Sequence, residues 1–154
     1  MRQPVSQALN NSNAPVTNLR VDRVGTRRYV GTSTRGARVE IGSADVEGVF
    51  TPGELLKIAL GACSAMASDF TVSRRLGDDF DSTVHISGDA DRETERYPRL
   101  DEVYELDMSE LDSDAAERLV AMVQRSVDKA CTVGRTLDSG TEIALEIRTG
   151  HETT

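Results

Sequence analysis

The stretch Thr51-Pro52-Gly53-Glu54-Leu55-Leu56-Lys57-Ile58-Ala59-Leu60-Gly61-Ala62-Cys63-Ser64-Ala65-Met66-Ala67 reads as the opening of one long helix. Thr51 suits the N-cap, Pro52 the first helical position, and Glu54, three residues on from Thr51, a capping box. Further along, Arg74 and Arg75 complement the helix dipole and Gly77 can take the left-handed cap. Between Leu55 and Ala67 the polar exceptions are Lys57 and Ser64. A helix apolar almost all round is expected to run through a protein interior, here with Cys63 at its middle.

Working outward, Leu19 to Val30 and Ala37 to Gly42 have strand-like character. Between them Gly31-Thr32-Ser33-Thr34-Arg35-Gly36 has the composition of a hairpin loop, which puts Arg35 at or near its tip. The acidic connector Asp45-Val46-Glu47-Gly48 leads into the helix. Downstream, Ser82 to Asp91 and Leu100 to Met108 alternate as strands, with Val84, Ile86, Tyr104, Leu106 and Met108 inward. A second amphipathic helix is predicted from about Asp114 to Lys129, with Leu119, Val123 and Val127 on one face. Thr141 to Arg148 then alternates as a last strand through Ile143, Leu145 and Ile147. The order β-β-α-β-β-α-β indicates an α+β fold. Residues 1–18, rich in Asn, Ser, Gln and Pro, read as a flexible arm, and 19–150 as a single domain.

The chain has 154 residues, enough for one domain with a real core, and carries 26 acidic against 18 basic residues for a net charge of −8. Its basic residues are scattered, which disfavours a nucleic-acid partner. No continuous apolar run approaches the roughly 18 residues of a membrane span, and the opening Met1-Arg2-Gln3-Pro4 has no apolar signal region. A cytoplasmic location is expected. Two cysteines are too few for a secreted disulfide framework, and a reducing compartment would keep them as thiols at rest. With no Cys-x-x-Cys and two histidines, a metal site is not expected.

Cysteine is nucleophilic as the thiolate, and an unperturbed thiol is only about 3% ionised at pH 7. Cys63 lies far past the first helical turn, so the dipole of its own helix does little for it, and burial would oppose ionisation. If Cys63 is reactive, a cation must lie over it, and Arg35 is the first candidate. Attack on a peroxide would leave a sulfenic acid, with which Cys131 could condense. The plainer reading is that both cysteines are packing residues, Glu54 a cap, and Met66 and Phe70 core. His85 looks like an exposed strand residue and His151 part of a frayed tail.

Pro52-Gly53-Glu54-Leu55-Leu56 through Gly61-Ala62-Cys63, followed by Ala130-Cys131-Thr132-Val133-Gly134-Arg135-Thr136-Leu137, resembles the two cysteine motifs of the OsmC/Ohr family, the osmotically inducible and organic-hydroperoxide-resistance proteins. The likeness covers roughly residues 19 to 149. It implies antiparallel sheets around a central apolar helix in an intertwined homodimer. It also implies a two-cysteine peroxidase that reduces organic hydroperoxides, with Cys63 peroxidatic and Cys131 resolving, and a dithiol reductant such as a lipoyl group or a small thiol redox protein; Met66 and Phe70, on the helix face of Cys63, are then the candidates for the substrate pocket. Arg35 matches the family's hairpin arginine, with Arg38 second. No flavin or nicotinamide motif is present, so no cofactor is expected.

One position departs from the pattern. Many family members carry an acid directly after the motif proline to orient the arginine, whereas here Gly53 stands there and the acid is Glu54. Nine residues turn a regular helix through about 900°, which leaves Glu54 opposite Cys63. An irregular first turn would bring Glu54 to the arginine, and Glu47 or Asp45 could replace it. Two other readings keep the fold without turnover: a thiol redox sensor, and a small-ligand-binding protein.

Overall fold

A computed structural model describes residues 18–148. The expected arm therefore lies, Asn18 apart, outside the described residues, as does His151. Backbone contacts divide the chain into two compact units, Met1–Pro52 and Gly53–Thr154.

The first unit is an antiparallel three-stranded meander of β1 (Leu19–Gly25), β2 (Arg28–Ser33) and β3 (Arg38–Gly42). The segment from Leu19 to Val30, read as one strand, is therefore broken into parts of two. The break is a tight turn in which Arg27 takes φ 52° and the register shifts between Arg23 and Gly25. No Asn-Gly or Asp-Gly pair announces that turn, and an arginine in left-handed backbone is uncommon enough to be missed. The β2–β3 turn falls inside the segment read as a loop but is shorter, because Gly31, Thr32 and Ser33 belong to β2, where Gly31 pairs with Val39 and Thr32 with Arg38. Gly36 has φ 90°, and the Ser33 hydroxyl accepts from the amides of Arg35 and Ala37, both at 3.3 Å. Beyond β3 the chain returns so that Phe50 bridges Ile41.

The second unit holds α1 (Pro52–Leu76), the hairpin β4 (Ser82–Ser87) with β5 (Asp101–Leu106), α2 (Ser113–Ala130) and α3 (Thr132–Ser139). Helix α1 starts and stops where its signals lie. Gly77 has φ 92° and donates from its amide to the Ser73 carbonyl at 2.9 Å. The hairpin pairs Val84 with Tyr104 and Ile86 with Glu102. Helix α2 is capped by Asp112, whose carboxylate accepts from the Ala115 amide at 2.8 Å. Its Leu119 and Val123 join Val72 of α1 in the buried core, with Tyr104, Leu106, Met108 and Val127 packed on it. The inward sets read for β5 and α2 are thus in place. Gly61 lets β4 approach α1 closely, since a Cβ there would lie 2.9 Å from Ile86 Cγ1.

Helix α3 was not expected, because its sequence, Thr-Val-Gly-Arg-Thr-Leu-Asp-Ser, mixes β-branched residues with glycine. The last strand is also absent from the described elements: residues 141–148 have no ladder partner among the described residues, and Ile143, Leu145 and Ile147 are 81–82% exposed. Alternation sets which side chains share a face, but a strand needs a partner edge. Helix α1 differs from its expectation in two respects. With a mean hydropathy of 1.4 in its most apolar part, it is long and apolar enough to cross a membrane, although Lys57, Ser64 and Asp69 interrupt the run. A soluble core helix passes the same test, and the Ser64, Ser68 and Val72 face of α1 is buried within this unit. The other face, with Ile58, Met66 and Phe70, is open.

Candidate functional site

Helix α2 ends and α3 begins on the same residue, Cys131. Its amide donates to the Val127 carbonyl at 2.9 Å, closing α2, while its Sγ accepts from the Gly134 amide at 3.3 Å, in the manner of an N-cap side chain. The guanidinium of Arg135 donates to the carbonyls of Asp128 and Lys129 at 3.4 and 3.3 Å, tying the first turn of α3 to the last turn of α2. A cation at a helix C-terminus meets the carbonyls that the helix itself leaves unsatisfied.

Cys63 projects from α1 onto this junction. The Val133 amide donates to Cys63 Sγ at 3.5 Å, so the adjacent amides of Val133 and Gly134 serve the two sulfurs. Ser64, the next residue on α1, places its Oγ 3.6 Å from Cys131 Sγ. Below it, the Ser68 hydroxyl donates to the Ser64 carbonyl at 3.1 Å and lies 3.5 Å from the Tyr104 hydroxyl. Both cysteines are free thiols, Cys63 partly buried and Cys131 2% exposed. Burial pushes the Cys131 thiol above its ordinary pKa. The hydrogen bonds from Ser64 and Gly134 oppose that shift, and the neighbouring Cys63 adds to it.

Next to the junction lies a cavity of about 610 Å³ between Leu56 and Leu60 of α1, Tyr97 and Leu100 of the β4–β5 connection, and Gly134 and Leu137 of α3. Its charged lining is balanced, Arg96 and Arg99 against Glu102 and Asp138, and Arg99 is already paired with Asp101. Nothing in this lining selects for one sign of charge. Among the described residues no cluster of three His, Cys, Asp or Glu side chains is arranged to hold a metal ion.

Of the residues singled out from sequence, Cys63 and Cys131 are brought together. Arg35 occupies the β2–β3 turn of the first unit, and Arg38 pairs with Glu40 at 3.3 Å on β3. Asp45 and Glu47 follow β3 in the same unit, and Glu54 is in the first turn of α1. Met66 and Phe70, 76% and 78% exposed, stand on the open face of α1. Sequence reasoning missed Ser64 and the start of α3. A lone serine in an apolar run, which must find a partner if buried, was the available signal for the first. The start of α3 had none, because its cap is a sulfur.

The sequence matches the OsmC-like protein family over residues 44–146, which crosses the boundary between the two units. Uncharacterized proteins of Mycobacterium tuberculosis and Mycobacterium bovis are each 61% identical over 132 residues, covering 86% of this chain and 96% of theirs. Two crystal structures share the fold at low identity. A hypothetical protein from Aquifex aeolicus has a TM-score of 0.64 at 18% identity, covering 82% of this chain and 90% of its own. An OsmC-like protein from Mycoplasma pneumoniae has a TM-score of 0.62 at 9% identity, covering 81% and 89%. With a family match over more than half its length, around the two cysteines that carried the resemblance, the chain belongs to the OsmC-like protein family.

Proposed function

We propose that the protein is a two-cysteine peroxidase that reduces organic hydroperoxides to alcohols. The observation that carries this reading is the meeting of two free thiols at one helix start, each with an amide donor directed at its sulfur. Cys63, the less buried, attacks the peroxide as the thiolate. Its sulfur bonds the terminal oxygen, the O–O bond breaks, and the alkoxide leaves with a proton as the alcohol. Cys131 then displaces the hydroxyl of the Cys63 sulfenic acid to give the Cys63–Cys131 disulfide and water.

The cavity bounded by Leu60 and Gly134 offers apolar walls for the organic part of the substrate. Arg35 is assigned to stabilise the thiolate and the peroxide on the family resemblance alone; because Gly53 stands at the family's acidic position, Glu54, Glu47 and Asp45 are the candidates to orient it. The reductant is a dithiol, a lipoyl group or a small thiol redox protein, acting in the cytoplasm. The open face of α1 with Met66 and Phe70, and the unpaired 141–148 segment, support a homodimer that covers both, in which the two units form one domain and Met66 and Phe70 approach the substrate.

Intact-mass measurement after one equivalent of cumene hydroperoxide tests the reading. The reduced wild type should lose two hydrogens, and Cys131→Ser should gain one oxygen at Cys63. If both proteins stay reduced while the peroxide persists, the chain is not a peroxidase.

A further inference from the structure

The residue beside the attacking cysteine has no part in the scheme so far. Ser64 is 4% exposed in a run of apolar side chains, and its hydroxyl is directed at Cys131 Sγ, itself 2% exposed. A buried hydroxyl without a partner is costly, and this one has placed its bond on the thiol that must react second. We propose that Ser64 is a positioning residue for the resolving step: its hydroxyl holds Cys131 Sγ beside Cys63 and stabilises the Cys131 thiolate as it forms. The inference rests on the two-cysteine reading above.

The hydroxyl suits both states of the thiol. While Cys131 is protonated, its S–H can donate to Ser64 Oγ. Once the proton has gone to solvent, Ser64 can turn its own proton toward the sulfur, which a hydroxyl does by rotation. With the Gly134 amide at 3.3 Å, the thiolate then has two donors in a site that otherwise disfavours charge. The thiolate attacks Sγ of the Cys63 sulfenic acid, the S–S bond forms, the S–O bond breaks, and the departing hydroxide takes up a proton as water. The organic hydroperoxide is the oxidant for the pair. Ser68, one turn on and also buried, satisfies its own hydroxyl on the Ser64 carbonyl. Because consecutive residues 63 and 64 grip Val133 and Cys131 respectively, any turn of α1 that positions one thiol also positions the other.

The test separates the two steps. In Ser64→Ala, first-turnover consumption of cumene hydroperoxide should stay within about twofold of wild type. Disulfide formation should slow about tenfold, the worth of one hydrogen bond to a charged group, and the sulfenic acid should become trappable by dimedone. Ser64→Thr, which keeps a hydroxyl, should restore the rate. In a Cys63→Ser background, where no peroxide chemistry is needed, Ser64→Ala should move the ionisation midpoint of Cys131, followed by thiolate absorbance, upward by about one pH unit. Ser64→Val, compared with its near-isostere Ser64→Thr, isolates the same hydroxyl and serves if the alanine variant does not fold. Unchanged disulfide formation together with an unmoved Cys131 midpoint would overturn the proposal. Should the wild type form no disulfide with hydroperoxide, the peroxidase reading falls, and the Cys131 midpoint alone still decides whether Ser64 governs that thiol.

Discussion

The phenol of Tyr97 fills the space that a side chain on residue 53 would need: a Cβ there would run into the hydroxyl and lie 3.0 Å from the ring carbon Cζ. Lys57 Nζ completes the arrangement, 4.9 Å from the ring centre. A side chain at residue 53 would therefore have to displace the end of the Tyr97 side chain, which Gly53 accommodates. Gly53→Ala should lower stability by about 1–3 kcal/mol through overpacking, against a gain of about 1 kcal/mol in helix propensity. Denaturant unfolding of the single variants and of Gly53→Ala/Tyr97→Ala should show the penalty largely removed in the double variant. An equal loss with and without the tyrosine would place its origin elsewhere.

Cys131 gives a pH dependence with a definite sign. Burial holds its folded thiol above the ordinary pKa, so it is a neutral thiol at pH 7, and the disulfide-forming step should accelerate as pH rises toward that pKa. Stability should move the opposite way. Below about pH 8.5, the ordinary thiol value, folded and unfolded chains both keep the proton; above it the unfolded chain releases the proton first, and the folded state loses ground until its own pKa is passed. Urea unfolding from neutral to alkaline pH should show this loss in reduced wild type and a smaller one in Cys131→Ala. Parallel curves would contradict the shift.

Arg35 sits in an exposed turn held by the Ser33 hydroxyl and by Gly36, and its guanidinium contributes nothing evident to that turn. Arg35→Ala should therefore leave the melting temperature within about a degree of wild type, as surface substitutions commonly do. If it serves the thiolate and the peroxide, the rate of Cys63 oxidation should fall by about 10². Arg38→Ala, which breaks an exposed pair with Glu40, is the control and should retain most of the rate. Equal losses in the two variants would remove Arg35 from the mechanism.

Met66 and Phe70 on the open face of α1 give the association prediction its handle. Sedimentation should find a dimer for the wild type, and Met66→Glu/Phe70→Glu should shift it toward monomer, because two buried carboxylates facing a second copy are strongly disfavoured. A monomeric wild type at micromolar concentration would leave that apolar face without an occupant.

What was legible in the sequence followed from local rules. The Thr51-Pro52 start and Gly77 stop of α1, the Leu119–Val123–Val127 face of α2 and the Tyr104–Leu106 alternation depend on neighbours a few residues away, and these elements stand where they were read. The errors arose where a partner decides. Leu19 to Val30 kept its strand character on both sides of an unmarked turn at Arg27, while Ile143, Leu145 and Ile147 alternate without an edge to pair with among the described residues. At the site, the two cysteines could be named, but their donors could not. Backbone amides carry no sequence signature, and Ser64 acquires meaning only when α2 delivers Cys131 to it.

The sulfur of Cys131 is also the fastening of α3. Oxygen caps are chemically inert, whereas this acceptor changes with each oxidation state: a thiolate is a strong acceptor, and a disulfide sulfur, relieved of its charge, a feeble one. The first turn of α3 should thus be best anchored in the reduced, ionised protein and loosest in the oxidised one. If Cys63 and Cys131 form a disulfide as proposed, amide exchange at Gly134 should rise on oxidation, and the start of α3 would then report the redox state of the pair.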